Sequence, residues 1–399
     1  MALFSIYMIG HKNLMCSSAS GQDQAIINLS CWTANNTVSL NTEWDLTVDN
    51  LPRDFSVVQV DEQPWIRAPI QTLWSTQGFA KRGTSVLYKV TLLLPENSRD
   101  LYLDVGEART AFRVYARPDS MLYKKLYENV SEAGFHQFLS GKIKDPIVRL
   151  PDAKETLTIL LQVANGPAIE GGIHKVPALG SLGALTEQRS YQLYFGLLIL
   201  AIVLLLILLN VGFKGTISGK RARFYLIMIL CGFALRLFDT SRLIGYLEAD
   251  LPYTVYYQLG WSTMYFIFMF WLIYVREALD IALPKVWHSF TIIFLSGMVL
   301  SAWIFPLSVT LGLAPYIRIY VIFIATWSLY LLIRYGMEHL HTKRVILLIG
   351  MFALALCGVL DMVLQSIGIF NHLTQIGLLF FGLMQTVYMH LHADERKHP

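Results

Sequence analysis

Cysteine is nearly absent from this chain. The four present, Cys16, Cys31, Cys231 and Cys357 among 399 residues, form no CxxC or Cys/His spacing. That excludes a disulfide framework and the usual zinc ligand patterns, so no metal or other cofactor is expected. Charge is scarce as well: 15% of residues are charged against 54% hydrophobic, too apolar a balance for an ordinary soluble chain of this length. The net charge of +4 is spread out, and no basic tract of the kind that grips nucleic acid occurs. Nucleophile elbows, HExxH helices, Walker loops and glycine-rich dinucleotide turns are also missing. No catalytic residue can be named, and the chain does not read as an enzyme.

What the sequence has instead is a long apolar run. Residues 194–213 carry no formal charge, and as a helix they span roughly 30 Å, the hydrocarbon thickness of a bilayer. Six further apolar segments follow, at 224–243, 254–275, 286–306, 317–333, 345–365 and 374–389. The expectation is therefore a bundle of seven transmembrane helices over 191–389. Lys214, Lys220, Arg221, Arg223, Arg276, Lys285, Arg334, Lys343, Arg344, Arg396 and Lys397 fall in alternate loops and the tail, while the opposite loops offer little beyond Arg242 and Arg318. The positive-inside rule then puts the tail, 390–399, in the cytoplasm and the N-terminal part outside, as expected for a bacterial inner-membrane protein.

That N-terminal part reads as β structure. Residues 1–20 resemble a weak signal peptide, and 21–164 form a candidate extracytoplasmic domain. Val86, Tyr88, Val90, Leu92 and Leu94 alternate on one face, as do Leu101, Leu103 and Val105, and Leu157, Ile159, Leu161 and Val163. Turn residues separate these runs, a spacing that favours a β-sandwich or jelly roll. A glycine-rich linker over 165–190 leads into the first apolar run, with Gly171 and Gly172 as candidates for its tight backbone. Trp65, Trp74 and Phe79, near predicted turns, are candidates to stack on a sugar, or else half-buried core aromatics. Asp54, Asp61 and Glu62 leave calcium open, but without a binding-loop motif they read as solvated charges.

Polar residues inside apolar helices carry the remaining information, because they are expensive there. Arg236 and Asp239 lie on the second segment and Asp361 and Gln365 on the sixth. Counted along ideal helices from the cytoplasmic side, Arg236 sits about 20 Å up and Asp361 about 24 Å up. The expectation is an Arg236–Asp361 pair, with Gln258 and Gln375 at the same level, forming either a switchable polar cavity or a fixed packing contact.

The strand pair YKVTLLLP and LYLDVGEARTAFRVYA, the junction QVANGPAIEGGIHKVPALGSLGAL, the segment LRLFDTSRLIGYLEADLPYTVYYQLGW and the last segment TQIGLLFFGLMQTVYMHLHADE together resemble the bacterial seven-transmembrane receptors with diverse intracellular signalling modules. The resemblance implies a jelly-roll sensor for a carbohydrate or other small ligand, a helical relay and a cytoplasmic output. In that family the output is fused after the last helix. Residues 390–399 are too short for it, so a separate signalling partner or a missing effector is implied, and a homodimer is compatible with either. Two rivals stand beside the receptor. One is a transporter or channel using the intramembrane Arg and Asp, and the other an assembly factor merely anchored in the bilayer.

Overall fold

The computed structural model describes residues 13–14, 18–20, 25–29, 32–33, 35–48, 57–70, 85–95, 99–108, 111–119, 122–130, 146–164, 173–212, 217–240, 243, 251–279, 285–306, 342–366 and 373–395, with scattered helical positions between 309 and 334. The chain divides into two compact units, residues 1–192 with 245–256, and residues 193–244 with 257–399.

The first unit is built from strands. In chain order they are β1 (Asn13–Leu14), β2 (Ser18–Ser20), β3 (Ala25–Asn28), β4 (Thr37–Ser39), β5 (Glu43–Val48), β6 (Ile66–Pro69), β7 (Ser85–Leu93) and β8 (Tyr102–Asp104). They continue with β9 (Glu107–Ala108), β10 (Ala111–Pro118), β11 (Lys124–Glu128), β12 (Ile147–Arg149), β13 (Thr156–Ala164), β14 (Ile173–Lys175) and β15 (Ala178–Gly180), and a one-turn helix, α1 (Val57–Asp61), precedes β6. A large sheet runs β11-β10-β13-β7-β3-β2, with β5 joined to β7 and β6 to β5, and a smaller one runs β1-β4-β15-β8-β12.

The alternation read from the sequence sets the packing. Val86, Tyr88, Val90 and Leu92 of β7, with Leu157, Ile159, Leu161 and Val163 of β13, share one core with Val38, Leu103, Val148 and Leu179 of the smaller sheet. Period-two strands turn alternate side chains to opposite faces, so one face of each sheet supplies that core. The other face of the large sheet is not left to water. Leu87, Leu160 and Tyr115 are buried under Val60 of α1, Trp65 and Tyr123.

Among the described residues six long helices follow: α2 (Leu182–Gly212), α3 (Ile217–Thr240), α4 (Tyr253–Leu279), α5 (Lys285–Ile304), α6 (Thr342–Ser366) and α7 (Leu373–Glu395). The expected seven-transmembrane bundle is overturned. Among the described residues two helical segments, Leu182–Gly212 and Thr254–Ala278, are long and apolar enough to cross a membrane, and the apolar parts of α5 and α6 shorten to Ser289–Ile304 and Val345–Leu354. The physical reason is in the sequence. Helix α3 begins with Lys220, Arg221 and Arg223 and carries Arg236 and Asp239, α6 begins with Lys343 and Arg344 and carries Asp361, and α7 carries Gln375, Gln385, Thr386 and His390. Stretches of sixteen apolar residues or fewer, so interrupted, fall short of the roughly 20 that a crossing needs.

Candidate functional site

The described stretch of the expected linker consists of β14, β15 and the first turns of α2, and it builds the tightest polar site of the first unit. Strand β15 pairs with β8 through Ala178 opposite Asp104, and one residue after Gly180 the chain enters α2. Ser181 is the cap: its Oγ accepts the Ala184 N–H at 3.2 Å, satisfying one of the donors a helix start leaves open. Leu185 is buried, and Arg189, four residues on and so on the same helical face, reaches back to the strand.

There the guanidinium forks onto Asp104. Nη2 of Arg189 donates to Oδ1 at 2.8 Å and Nε donates to Oδ2 at 3.1 Å. The Gly106 N–H donates to Oδ1 at 3.0 Å, and the Lys175 ammonium stands 3.7 Å from Oδ2. The Asp104 side chain is 7% exposed. Burial works against its ionised form, yet the Lys175 and Arg189 charges and the Arg189 and Gly106 hydrogen bonds hold it well below the usual carboxylate range. Gly106 cannot be replaced without moving this turn, with φ at +76° and a Cβ that would run into the Lys175 carbonyl. A closed circuit results: Asp104 pairs with β15, β15 runs into α2, and α2 returns through Arg189 to Asp104. The helix start is thereby locked to the sheet.

A second polar group lies on the outer face of the large sheet. Lys89 of β7 stands opposite Asp45 of β5 in the ladder. Its ammonium lies 4.2 Å from the centre of the Trp65 ring and 4.0 Å from Oδ1 of Asp61. Across Asp61, Nη1 of Arg117 donates to Oδ2 at 3.3 Å, and the Arg117 guanidinium sits 4.9 Å over the Tyr123 ring. The order is ring, cation, carboxylate, cation, ring. The Lys89 side chain is 6% exposed and that of Asp61 46%. Burial lowers the Lys89 pKa against the pull of Asp45 and Asp61, and burial pushes Tyr123 up to about 12. Asp45 is engaged elsewhere too, accepting from the Ala25 N–H at 2.9 Å and from Arg67 at 3.4 Å.

Of the stacking aromatics expected from sequence, Trp65 is thus placed on this face, its indole N–H donating to the Val60 carbonyl at 3.1 Å and one ring face covered by Lys89. Trp74 and Phe79 lie outside the described residues, as do Gly171, Gly172 and Asp54. In the second unit, Arg236 donates to the Gly260 carbonyl at 2.6 Å, which also accepts from Thr263. The side chains of Asp239, Asp361 and Gln365 are outside the described residues, so the expected pair with Asp361 is too. Gln258 lends its carbonyl to Ser262 and Gln375 is buried.

The polar contacts that sequence reasoning missed in this unit centre on α7. The Tyr274 hydroxyl of α4 donates to Gln385 at 2.5 Å, Gln385 donates to the Leu347 carbonyl of α6 at 3.2 Å, Asn210 of α2 donates to Thr386 at 2.8 Å, and Tyr388 donates to the Ala278 carbonyl at 3.0 Å. Consecutive polar positions on one helix, spaced to reach three neighbours, are the signal that could have found them. Among the described residues no group of three or more His, Cys, Asp or Glu side chains gathers as a metal site.

No family model matches this chain, and no curated protein does. Among solved structures, a β-glucuronidase of Faecalibacterium prausnitzii aligns with 36% of this chain and 31% of its own length, at 11% identity and a TM-score of 0.26. The chain thus spans under a third of that enzyme.

Proposed function

We propose that this chain is a membrane-anchored sensor, in which the β unit recognises a small ligand or glycan and α2 carries the resulting change toward a separate cytoplasmic signalling protein. The observation that supports this reading is the fork of Arg189 on Asp104. It ties the sheet rigidly to the start of a 31-residue helix whose remainder is apolar enough to enter a bilayer. A plain anchor needs no such lock, because a flexible linker would hold the domain at the surface equally well. Locking the first turns makes any strand shift in β8 or β15 a movement of the helix.

The test uses the full chain. Alkaline carbonate should leave it in the membrane pellet. In detergent, a screen of oligosaccharides and cell-wall fragments should reveal a ligand that stabilises the fold by about 2.7 kcal/mol at a hundred times its Kd. That ligand should alter proteolysis within α3 to α7 of the wild type and not of Arg189→Ala. Release of the chain by carbonate, or a ligand effect on the helices that survives Arg189→Ala, would overturn the reading.

A further inference from the structure

Lys89 and Arg117 hold Asp61 differently from the way Arg189 holds Asp104. The contacts are long, 4.0 and 3.3 Å, and the carboxylate side chain is nearly half exposed at the end of a five-residue helix. The two cations are themselves fixed independently of it. Each lies against an aromatic ring, Lys89 on Trp65 and Arg117 on Tyr123, and Lys89 also has Asp45 as its ladder neighbour on β5. Beneath them Leu87, Leu160 and Tyr115 form a buried apolar floor. A buried ammonium and a planar guanidinium facing one exposed carboxylate are the elements of a carboxylate receptor. Here the chain's own carboxylate occupies it.

We infer that Lys89 and Arg117 form a binding subsite for the carboxylate of a small acidic ligand, and that Asp61 fills this subsite until the ligand displaces it. The inference rests on the sensor reading for its biological setting and narrows the ligand class from any small molecule to a carboxylic acid. Geometry supports exchange over permanence. Removing Asp61 from the cations requires only that its own side chain, 46% exposed, rotate toward solvent while Val60 beside it stays packed on the sheet, whereas the cations are held by the sheet. Trp65 and Tyr123, flanking the two cations, would border the body of the ligand and confine its shape.

The experiment is a titration of the full chain in detergent with acetate and with galacturonate, against galactose and against chloride at equal ionic strength, read by thermal shift and calorimetry. Asp61→Asn, which removes the internal competitor, should bind both carboxylates at least ten-fold more tightly than the wild type, with galactose and chloride inert. Adding Lys89→Met or Arg117→Gln to Asp61→Asn should abolish that gain, and the two alternatives guard against one failing to fold. Equal affinity in the wild type and Asp61→Asn, a gain that survives both cation variants, or a gain matched by chloride would each overturn the subsite. Carboxylate binding by a chain that carbonate releases from membranes would uphold the subsite while removing the sensor reading, so the two fail separately.

Discussion

Asp104 and Asp61 are both carboxylates between two cations, and they differ in every respect that decides what such a group can do. Asp104 is on a strand, 7% exposed, and receives three hydrogen bonds of 2.8 to 3.1 Å. Asp61 is at the end of a short helix, 46% exposed, and its nearest cation atom is 3.3 Å away. A buried ion pair repays its desolvation only with such saturated geometry, and once made it is costly to break from one side. A half-exposed pair is screened and exchanges readily with water or solute. The first arrangement suits a lock and the second a gate, within one folded unit.

The largest effect should come from opening the lock. Asp104→Asn leaves Arg189 and Lys175 facing a neutral amide and should cost about 3–5 kcal/mol in the urea-induced unfolding of the β unit. A loss below about 1 kcal/mol would place Asp104 in the same class as Asp61 and erase the contrast. The pH dependence sharpens it. Because the folded pKa of Asp104 lies below that of the unfolded chain, its contribution is fully present above about pH 5 and is lost as pH falls toward the folded value. The gap in stability between wild type and Asp104→Asn should stay constant from pH 7 to about 5, narrow steadily below about pH 4, and close only once pH has fallen below the folded value.

Next in size is Gly106→Ala. A side chain at φ +76°, aimed at the Lys175 carbonyl, must shift the turn that supplies one of the Asp104 hydrogen bonds. The expected loss is about 1–3 kcal/mol, measured in the same unfolding experiment, with less than additive loss when combined with Asp104→Asn because the two share one contact.

Much of the β unit was legible in the sequence, because strand alternation translates directly into faces. Val86, Tyr88, Val90 and Leu92 were assigned to one face, and that face is the core. The same alternation is silent about the opposite face. Asp104 and Lys89 fall at the positions in between, to which the alternation assigns no partner, and both are buried, one by a helix start that arrives from 85 residues away and the other by α1 and Trp65. Periodicity reports which residues share a side and is silent on whether a later segment covers it. The helical part failed for a related reason. Apolar runs of 16 residues and runs of 20 look alike when charges at their ends are assigned to loops, but Lys220, Arg221 and Arg223 lie within α3 and Lys343 and Arg344 within α6. Among the described residues two segments kept enough apolar length. The carboxylate subsite was approached through Trp65, and through Asp61 only as a solvated charge, since its cations come from strands 28 residues apart and its occupant from a third element.

Alkaline titration should separate the two sites again. The Tyr123 hydroxyl stays neutral to about pH 12 in the folded chain, above the ordinary value near 10. With the folded pKa raised, its contribution is fully present below about pH 10 and declines as pH rises through 12. Relative to Tyr123→Phe, the wild type should therefore lose stability only within that window.

The smallest stability effect belongs to Asp61, and its smallness is the point of measuring it. Asp61→Asn removes a half-exposed charge from two cations that keep their aromatic neighbours, so the loss should be about 0–1 kcal/mol. A larger loss would mean that Asp61 holds α1 and the outer face together, and a group that holds structure together cannot also be displaced by a small ligand without unfolding it. A near-neutral change, set beside the collapse expected from Asp104→Asn, would mean that this protein uses the same three charges for opposite ends. At the root of α2 they make a joint that must not open, and on the face of the sheet they make one that must.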